Sequence, residues 1–396
     1  MEYNSFKLKE NPFRLTPPLN PEEIIWAGMD KLKTELENRI RMSMRTSASR
    51  IIINWGNYGS GKTHAANYFS RTPRLKELSD EISVAPAKSI KVNLPRASKD
   101  IVQAFWRALL GQIEFDFIVK DFNRLRQLFP SDYKRIINVN ANDSIVAELF
   151  TEIATIYLNK KNQTQISMDL GIPDQEKIDD IKNYLYGDKT KATLTSLNFP
   201  TGIIEDDEQV VNLLSTMFNC LSYEKKIYSE IFLWIDEFED IDTVNKSAAD
   251  RFTTFLRQLI DKTPNHLTIF LNFTPKRFLN IEDLSIYLGE ALLSRARLKI
   301  YFAEPTLEES IDYLEVLLNH PVFRDKEDVN NENNLYPFSE DIVKYVLRNI
   351  GRLSMRKINE VFSIILELAL IQEVETLSIE FVNSIKEEII SWEGEA

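Results

Sequence analysis

The sequence predicts an α/β fold in which a mostly parallel, five-stranded sheet carries helices on both faces. Three observations support this prediction: strand-like runs recur along the chain, apolar residues at helical spacing separate them, and polar residues follow several of the runs. Strands that alternate with helices are typical of parallel sheets, because each parallel connection needs a crossover. The predicted strands occupy residues 51–53, 90–94, 231–235, 267–273 and 298–302.

The composition is that of an ordinary globular protein. The 396 residues are 43% hydrophobic and 27% charged, which excludes a disordered chain. The net charge of −12 argues against a surface that binds nucleic acid broadly by neutralising phosphates. With one cysteine, Cys220, and no membrane-spanning or signal-like run, we expect a cytoplasmic protein without a membrane partner.

A glycine-rich phosphate-binding motif directly follows the first predicted strand. Residues 56–63 read GNYGSGKT, with a strand before the motif and a helix after it. Glycines let the backbone wrap around phosphates, and the helix that begins at Lys62 directs its positive end towards them. Lys62 is expected to reach the terminal phosphates of ATP, and Thr63 to ligate Mg²⁺. The expected ATP-binding residues here are Gly56, Asn57, Tyr58, Gly59, Ser60, Gly61, Lys62, Thr63 and His64.

An acidic pair ends the third predicted strand. The run 231–235 is apolar, and Asp236 and Glu237 follow it. Ligands of α/β sheets bind at the carboxyl ends of the strands. We therefore expect Asp236 to hold Mg²⁺ together with Thr63, and Glu237 to act as the general base on the attacking water. The acidic residues that follow, Glu239, Asp240 and Asp242, are interpreted as the solvated start of a helix.

A polar residue near the end of the fourth predicted strand is a further catalytic candidate. Asn272 follows the run 267–271, and this strand should lie beside the one that ends in Asp236. An amide at this position is able to orient water against the γ-phosphate; the alternative is a strand-end amide that bonds to a turn. Thr274 competes for the same role.

Three regions are expected along the chain. An N-terminal arm and helix that border the nucleotide occupy 1–50, an ATPase core 51–305, and a helical lid domain 306–396. The core contains a helical insertion at about 112–205, since the 174 positions between Lys62 and Asp236 (236 minus 62) exceed what one crossover needs. The lid is predicted to contain four helices, and Thr306 with Glu309 predicts a capping box for the first of them.

These motifs resemble the AAA+ P-loop ATPases, and within them the initiator-like clade of archaeal origin-recognition ATPases, DnaA and TniB-type transposition ATPases. The resemblance covers about 11–111 and 205–390. It implies that segments 11–13 and 26–29 border the adenine, and that Asp236, Glu237 and Asn272 match the second acidic motif and first sensor. It also implies an arginine finger for a neighbouring subunit, with Arg295 preferred over Arg297. The lid sensor is expected at Arg356, with Arg352 as the alternative.

The resemblance leaves the biological process open. It implies an oligomer that forms on ATP binding and acts in transposition, replication or anti-phage defence. Because the lid is followed only by residues up to Ala396, we expect no winged-helix domain, a protein partner at the insertion, and only non-specific DNA contact in the oligomer. The alternative is a signalling or defence ATPase that senses a ligand or protein and assembles without contacting nucleic acid. A protein-threading motor and a metabolic kinase are less favoured.

Overall fold

The protein forms two compact units. The structure is a computed structural model, and it describes residues 2–16, 23–71, 73–96, 99–156, 175–186, 204, 206–275, 284–296, 298–329, 333–390 and 392–393. One unit, here called the lid unit, comprises Met1–Glu37, Trp55–Pro73 and Tyr301–Ala396. The other, here called the sheet unit, comprises Asn38–Asn54 and Arg74–Ile300.

The predicted α/β class and its five-stranded parallel sheet are confirmed. The strands lie in the order β2-β3-β4-β1-β5, so the first strand of the chain lies between β4 and β5. The pairs β2–β3 and β3–β4 are parallel. The strands are β1 (Arg50–Gly56), β2 (Lys88–Asn93), β3 (Ile231–Asp236), β4 (Leu267–Phe273) and β5 (Leu298–Phe302).

Helices make up most of the remaining described chain. Those up to the last strand are α1 (Asp30–Arg45), α2 (Lys62–Arg71), α3 (Arg74–Glu81), α4 (Ile101–Ile113), α5 (Phe115–Leu128), α6 (Tyr133–Asn140), α7 (Ser144–Ile153), α8 (Gln175–Tyr186), α9 (Asp207–Leu221), α10 (Lys246–Lys262) and α11 (Leu284–Leu293). The later ones are α12 (Leu307–Leu318), α13 (Glu340–Asn349), α14 (Met355–Ile371) and α15 (Ile379–Ile385). None of the helices in the described part of the chain has the length and apolar character needed to span a membrane.

The core of the sheet unit lies on the central strands. Every residue of β3 and β4 is buried, as expected for strands covered on both faces. Trp234 stacks on Phe270 of the neighbouring strand with ring centroids 3.9 Å apart, and its indole N–H donates to the hydroxyl of Ser89 at 3.0 Å. In the predicted insertion, the described residues form α5, α6, α7 and α8, which confirms its helical character.

The lid unit has its own apolar core. The four predicted C-terminal helices are present as α12 to α15, and the capping box of Thr306 and Glu309 is confirmed. The N-terminal arm packs into this core: the ring of Phe13 lies 5.6 Å from that of Phe362 and 6.3 Å from that of Phe338. The arm is therefore an integral part of the unit that also contains the phosphate-loop motif.

Candidate functional site

The phosphate-loop motif forms a tight loop between the end of β1 and the start of α2. Gly59 and Gly61 have φ values of +79° and +95°, in the left-handed region that favours glycine. At Gly56 the constraint is space, since a Cβ there would lie 2.4 Å from the carbonyl oxygen of Phe302. These three glycines are therefore required by conformation or by close approach.

Lys62 is buried and folded back onto its own loop. Its ammonium donates to the carbonyl oxygens of Gly56 at 2.7 Å and Asn57 at 2.9 Å, and to the hydroxyl of Ser60 at 3.3 Å. All three acceptors are uncharged, so an anionic phosphate would be a stronger acceptor for the same ammonium. Thr63, one position on, is exposed at the first turn of α2.

Two arginines of the lid unit lie next to the phosphate loop. The guanidinium of Arg356 lies 5.0 Å from the ring centroid of Tyr58 and donates to its hydroxyl. Arg352 forms an ion pair with Glu304, whose carboxylate also accepts from the side-chain amide of Asn57 at 3.1 Å. Both candidate sensors are thus connected to the loop, Arg356 directly and Arg352 through Glu304.

An aromatic cluster of the lid unit lies beside the helix that follows the loop. The indole ring of Trp26 lies 6.0 Å from the imidazole of His64 and 5.4 Å from the ring of Tyr68. His64 Nε2 is 2.8 Å from the carbonyl oxygen of Ile25, and burial lowers the pKa of its imidazole. His64 is therefore neutral near pH 7, and the cluster offers planar, uncharged surfaces.

In the sheet unit, Asp236 is held by a chain of buried amides. Its Oδ1 accepts from the side chain of Asn272 at 3.0 Å and from the backbone N–H of Glu237 at 3.2 Å. The oxygen of the Asn272 amide in turn accepts from the side chain of Asn54 at 2.9 Å. Asn54 therefore fixes which end of the Asn272 amide faces the carboxylate. Adjacency of β3 and β4, predicted from the sequence, is confirmed.

Two residues of β2 complete this cluster, and the sequence reasoning missed both. The ammonium of Lys91 lies 3.2 Å from Oδ2 of Asp236. The side-chain amide of Asn93 donates to the carboxylate of Glu237 at 3.3 Å. The strand register pairs Asn93 with Asp236, and the only sequence signal was that polar residues alternate with apolar ones in this strand.

Glu237 has an unusual backbone and electrostatic environment. It adopts a left-handed conformation, with φ of 55°, at the turn after β3. Burial raises the pKa of its carboxyl, and the charges of Asp236 and Asp240 raise it further, against an opposing effect of Arg96. The expectation that Asp240 is solvated is wrong: its carboxylate is buried, and it accepts from the guanidinium of Arg96 at 2.7 Å, which supplies the partner that water would otherwise provide.

The candidate arginine finger is engaged within its own unit. Arg295 lies just after α11, and its Nε and Nη2 donate to Oδ1 of Asp261 at 3.0 Å and 2.7 Å. Asp261 is near the end of α10. The alternative finger, Arg297, lies outside the described residues.

The two residues that the sequence assigns to Mg²⁺ both carry oxygen donors. Magnesium prefers oxygen ligands, usually one or two carboxylates together with water and substrate phosphates. Asp236 supplies a buried carboxylate, and Thr63 supplies an exposed hydroxyl. Each of the two residues, taken within its own unit, thus carries the kind of oxygen donor that Mg²⁺ prefers.

The comparisons with known proteins show the fold. The structure is similar to the ORC2 protein of Aeropyrum pernix in ADPNP–ADP complexes, with 13% identity, a TM-score of 0.55, and coverage of 97% of this chain and 72% of that one. It is also similar to the ADP form of that protein, with 12% identity, a TM-score of 0.51, and coverage of 96% and 72%. No family model and no curated protein matches the chain. At these identities the likeness is one of fold, and this chain shares the fold of those two structures.

Proposed function

We propose that this protein binds and hydrolyses ATP with Mg²⁺ and works as an ATP-dependent oligomeric switch in a DNA-associated process. The observation that carries the proposal is the conformation of residues 56–63. Two glycines in left-handed conformations turn the loop, and the buried Lys62 ammonium points into it. Such a loop with a helix N-terminus behind it is suited to binding phosphate.

The proposed chemistry assigns a separate task to each polar group. Lys62 and the loop N–H groups neutralise the β- and γ-phosphates. Thr63 and Asp236 hold the Mg²⁺, which supplies further charge neutralisation when bound. Glu237 takes a proton from the attacking water, which requires the carboxylate form of its side chain.

Positioning residues support these tasks. The Asn272 amide donates to Asp236 and is assigned to orient the attacking water. Asn93 holds the Glu237 carboxylate in one orientation through its hydrogen bond. In the lid unit, Arg356 is assigned to the γ-phosphate because it already lies against Tyr58 of the loop.

The oligomeric part of the proposal depends on Arg295. An arginine that reaches the γ-phosphate of a neighbouring subunit would stabilise the charge that develops during hydrolysis. Each subunit would then need its own Lys62 but the Arg295 of a neighbour. A mixture of variants that each lack one of these two residues therefore tests this division.

DNA contact is assigned to the oligomer and not to the single chain. With a net charge of −12, one subunit is poorly suited to bind phosphates, but weak contacts from several subunits add up. The exposed Lys120 and Arg124 on α5 of the insertion are candidates. Arg41 is less suited, because it donates to Glu81 at 2.8 Å. The insertion is also the proposed contact for a protein partner.

The test of nucleotide binding is Lys62→Ala. We predict that it abolishes ATP binding in calorimetry with Mg²⁺ while the circular dichroism spectrum is unchanged, because Lys62 contributes charge and not core packing. Lys357→Ala is the matched control, since Lys357 is a lysine of the lid unit paired with Glu393. Equal affinity of wild type and Lys62→Ala would refute the phosphate-loop assignment.

The test of the shared site mixes Lys62→Ala with Arg295→Ala. Each variant alone should be inactive, and the mixture should recover part of the hydrolysis because some interfaces pair an intact loop with an intact finger. No recovery at any ratio would contradict the shared site. Fluorescence anisotropy with random duplex and single strands, with and without ATP, then tests DNA contact. Absence of binding in every condition would favour the signalling or defence ATPase.

A further inference from the structure

The ion pair between Lys91 and Asp236 has no task in the proposed chemistry. Lys91 lies in β2, opposite Trp234 of β3, and its side chain is 17% exposed. Its ammonium lies 3.2 Å from Oδ2 of a carboxylate that is 4% exposed. A lysine this close to a buried carboxylate is a strong electrostatic partner for it.

The two oxygens of Asp236 have different neighbours. Oδ1 accepts from Asn272 and from the backbone N–H of Glu237, at 3.0 Å and 3.2 Å. Oδ2 faces Lys91. A divalent cation or its water shell that approached Asp236 would therefore compete with the ammonium for Oδ2.

We propose that Lys91 is an exchangeable counter-ion that sets the Mg²⁺ concentration at which the site assembles. This inference rests on the proposed function, since it concerns the Mg²⁺ that accompanies ATP. Without the metal, Lys91 neutralises the Asp236 carboxylate. When Mg²⁺ arrives, the ammonium moves away on its flexible four-carbon stem. Lys91 is thus a positioning residue that acts through Asp236.

The direction of the effect follows from charge. With Lys91 present, the Asp236 carboxylate is already neutralised, and the positive ammonium of Lys91 repels a Mg²⁺ ion that approaches it. Removing the charge should leave Asp236 more attractive to the metal. The pair is largely shielded from solvent, so screening is weak, and we expect an effect of about tenfold on the Mg²⁺ requirement, equivalent to about 1.4 kcal/mol.

The experiment measures the Mg²⁺ requirement of ATP binding, not activity. ATP affinity is determined by calorimetry over a series of Mg²⁺ concentrations, and the half-saturating Mg²⁺ is compared between variants. Lys91→Met keeps the length of the stem without its charge and should lower the half-saturating Mg²⁺ by about tenfold. Lys91→Arg keeps the charge and should stay close to wild type.

The matched control is Lys88→Met in the same strand. Lys88 lies 3.9 Å from Asp121, remote from Asp236 in the strand register, and its loss should leave the Mg²⁺ requirement unchanged. Melting temperatures of all variants show that the fold is retained.

Each outcome decides the inference. A lower Mg²⁺ requirement in Lys91→Met alone supports it. An unchanged or higher requirement, or weaker ATP binding at every Mg²⁺ concentration, overturns it while leaving the proposed function intact. Failure of the wild type to bind ATP at any Mg²⁺ concentration overturns both.

Discussion

The ion pair between Arg295 and Asp261 makes the proposed arginine finger dependent on a carboxylate of its own subunit. Both donors, Nε and Nη2, bond to the same oxygen of Asp261. To serve a neighbouring subunit, Arg295 has to leave this partner. We predict that Asp261→Asn, which removes the charge and keeps the shape, raises ATP hydrolysis.

The magnitude follows from the exposure of the pair. The side chains of Arg295 and Asp261 are 35% and 47% exposed, so solvent screens their attraction strongly. Ion pairs of this kind contribute about 0.2–1 kcal/mol. Since 1.4 kcal/mol is a factor of ten, releasing Arg295 should raise the available fraction by about 1.4- to 5-fold. The fold stability should change by no more than the same ~1 kcal/mol.

The assay is steady-state hydrolysis over a series of protein concentrations, at low and high salt. The gain should be largest at low protein concentration, and it should shrink at high salt because salt weakens the pair in the wild type as well. Asp250→Asn, on the same helix, is the control and should behave as wild type. Unchanged or reduced hydrolysis in Asp261→Asn would refute the reasoning. So would a gain that persists when Arg295→Ala is added, since the effect would then not pass through the finger.

Three further predictions concern the catalytic cluster and the loop. Glu237→Gln should keep ATP affinity and lose about 10²–10⁴-fold in turnover, because an amide cannot act as a base. If a phosphate-release assay gives a turnover within about threefold of wild type, the general base is a residue other than Glu237. Asn54→Leu should reduce turnover by about 10- to 100-fold with little change in ATP affinity, because Asn272 loses the donor that orients it; a loss confined to affinity would contradict this. Gly59→Ala should lower the melting temperature more than Gly61→Ala. Both substitutions carry about 1–2 kcal/mol of left-handed strain, but only at Gly59 would a new Cβ meet side-chain atoms, at 3.0 Å and 3.1 Å. Equal shifts would show that the loop is not packed as described.

A buried arginine, Arg324, connects the N-terminal arm to the lid helices. Arg324 is fully buried and donates to the carbonyl oxygen of Lys7 at 3.1 Å, while Lys9 forms an ion pair with Asp325. The proline-rich arm gave no such signal, since its partners lie more than 300 positions away along the chain. The lid unit contains the arm and the part of α1 up to Glu37, together with the phosphate loop and the lid helices.

The sequence by itself determined the features that depend on local order. The spacing of the glycines and Lys62, the apolar strand before Asp236, and the capping box at Thr306 are properties of short segments. Their physical causes are local as well: backbone conformation, the run of apolar side chains and helix capping act within a few residues. The fold class follows from the alternation of such segments.

Only the tertiary structure decided which polar and charged side chains contact each other. Asn93 and Glu237 are 144 positions apart, and their contact depends on the register between β2 and β3, which residue periodicity does not fix. The pairing of Lys91 with Asp236 and of Arg295 with Asp261 has the same origin. Electrostatic partners are chosen by distance in space, and a chain of alternating strands and helices brings together residues that the sequence keeps far apart.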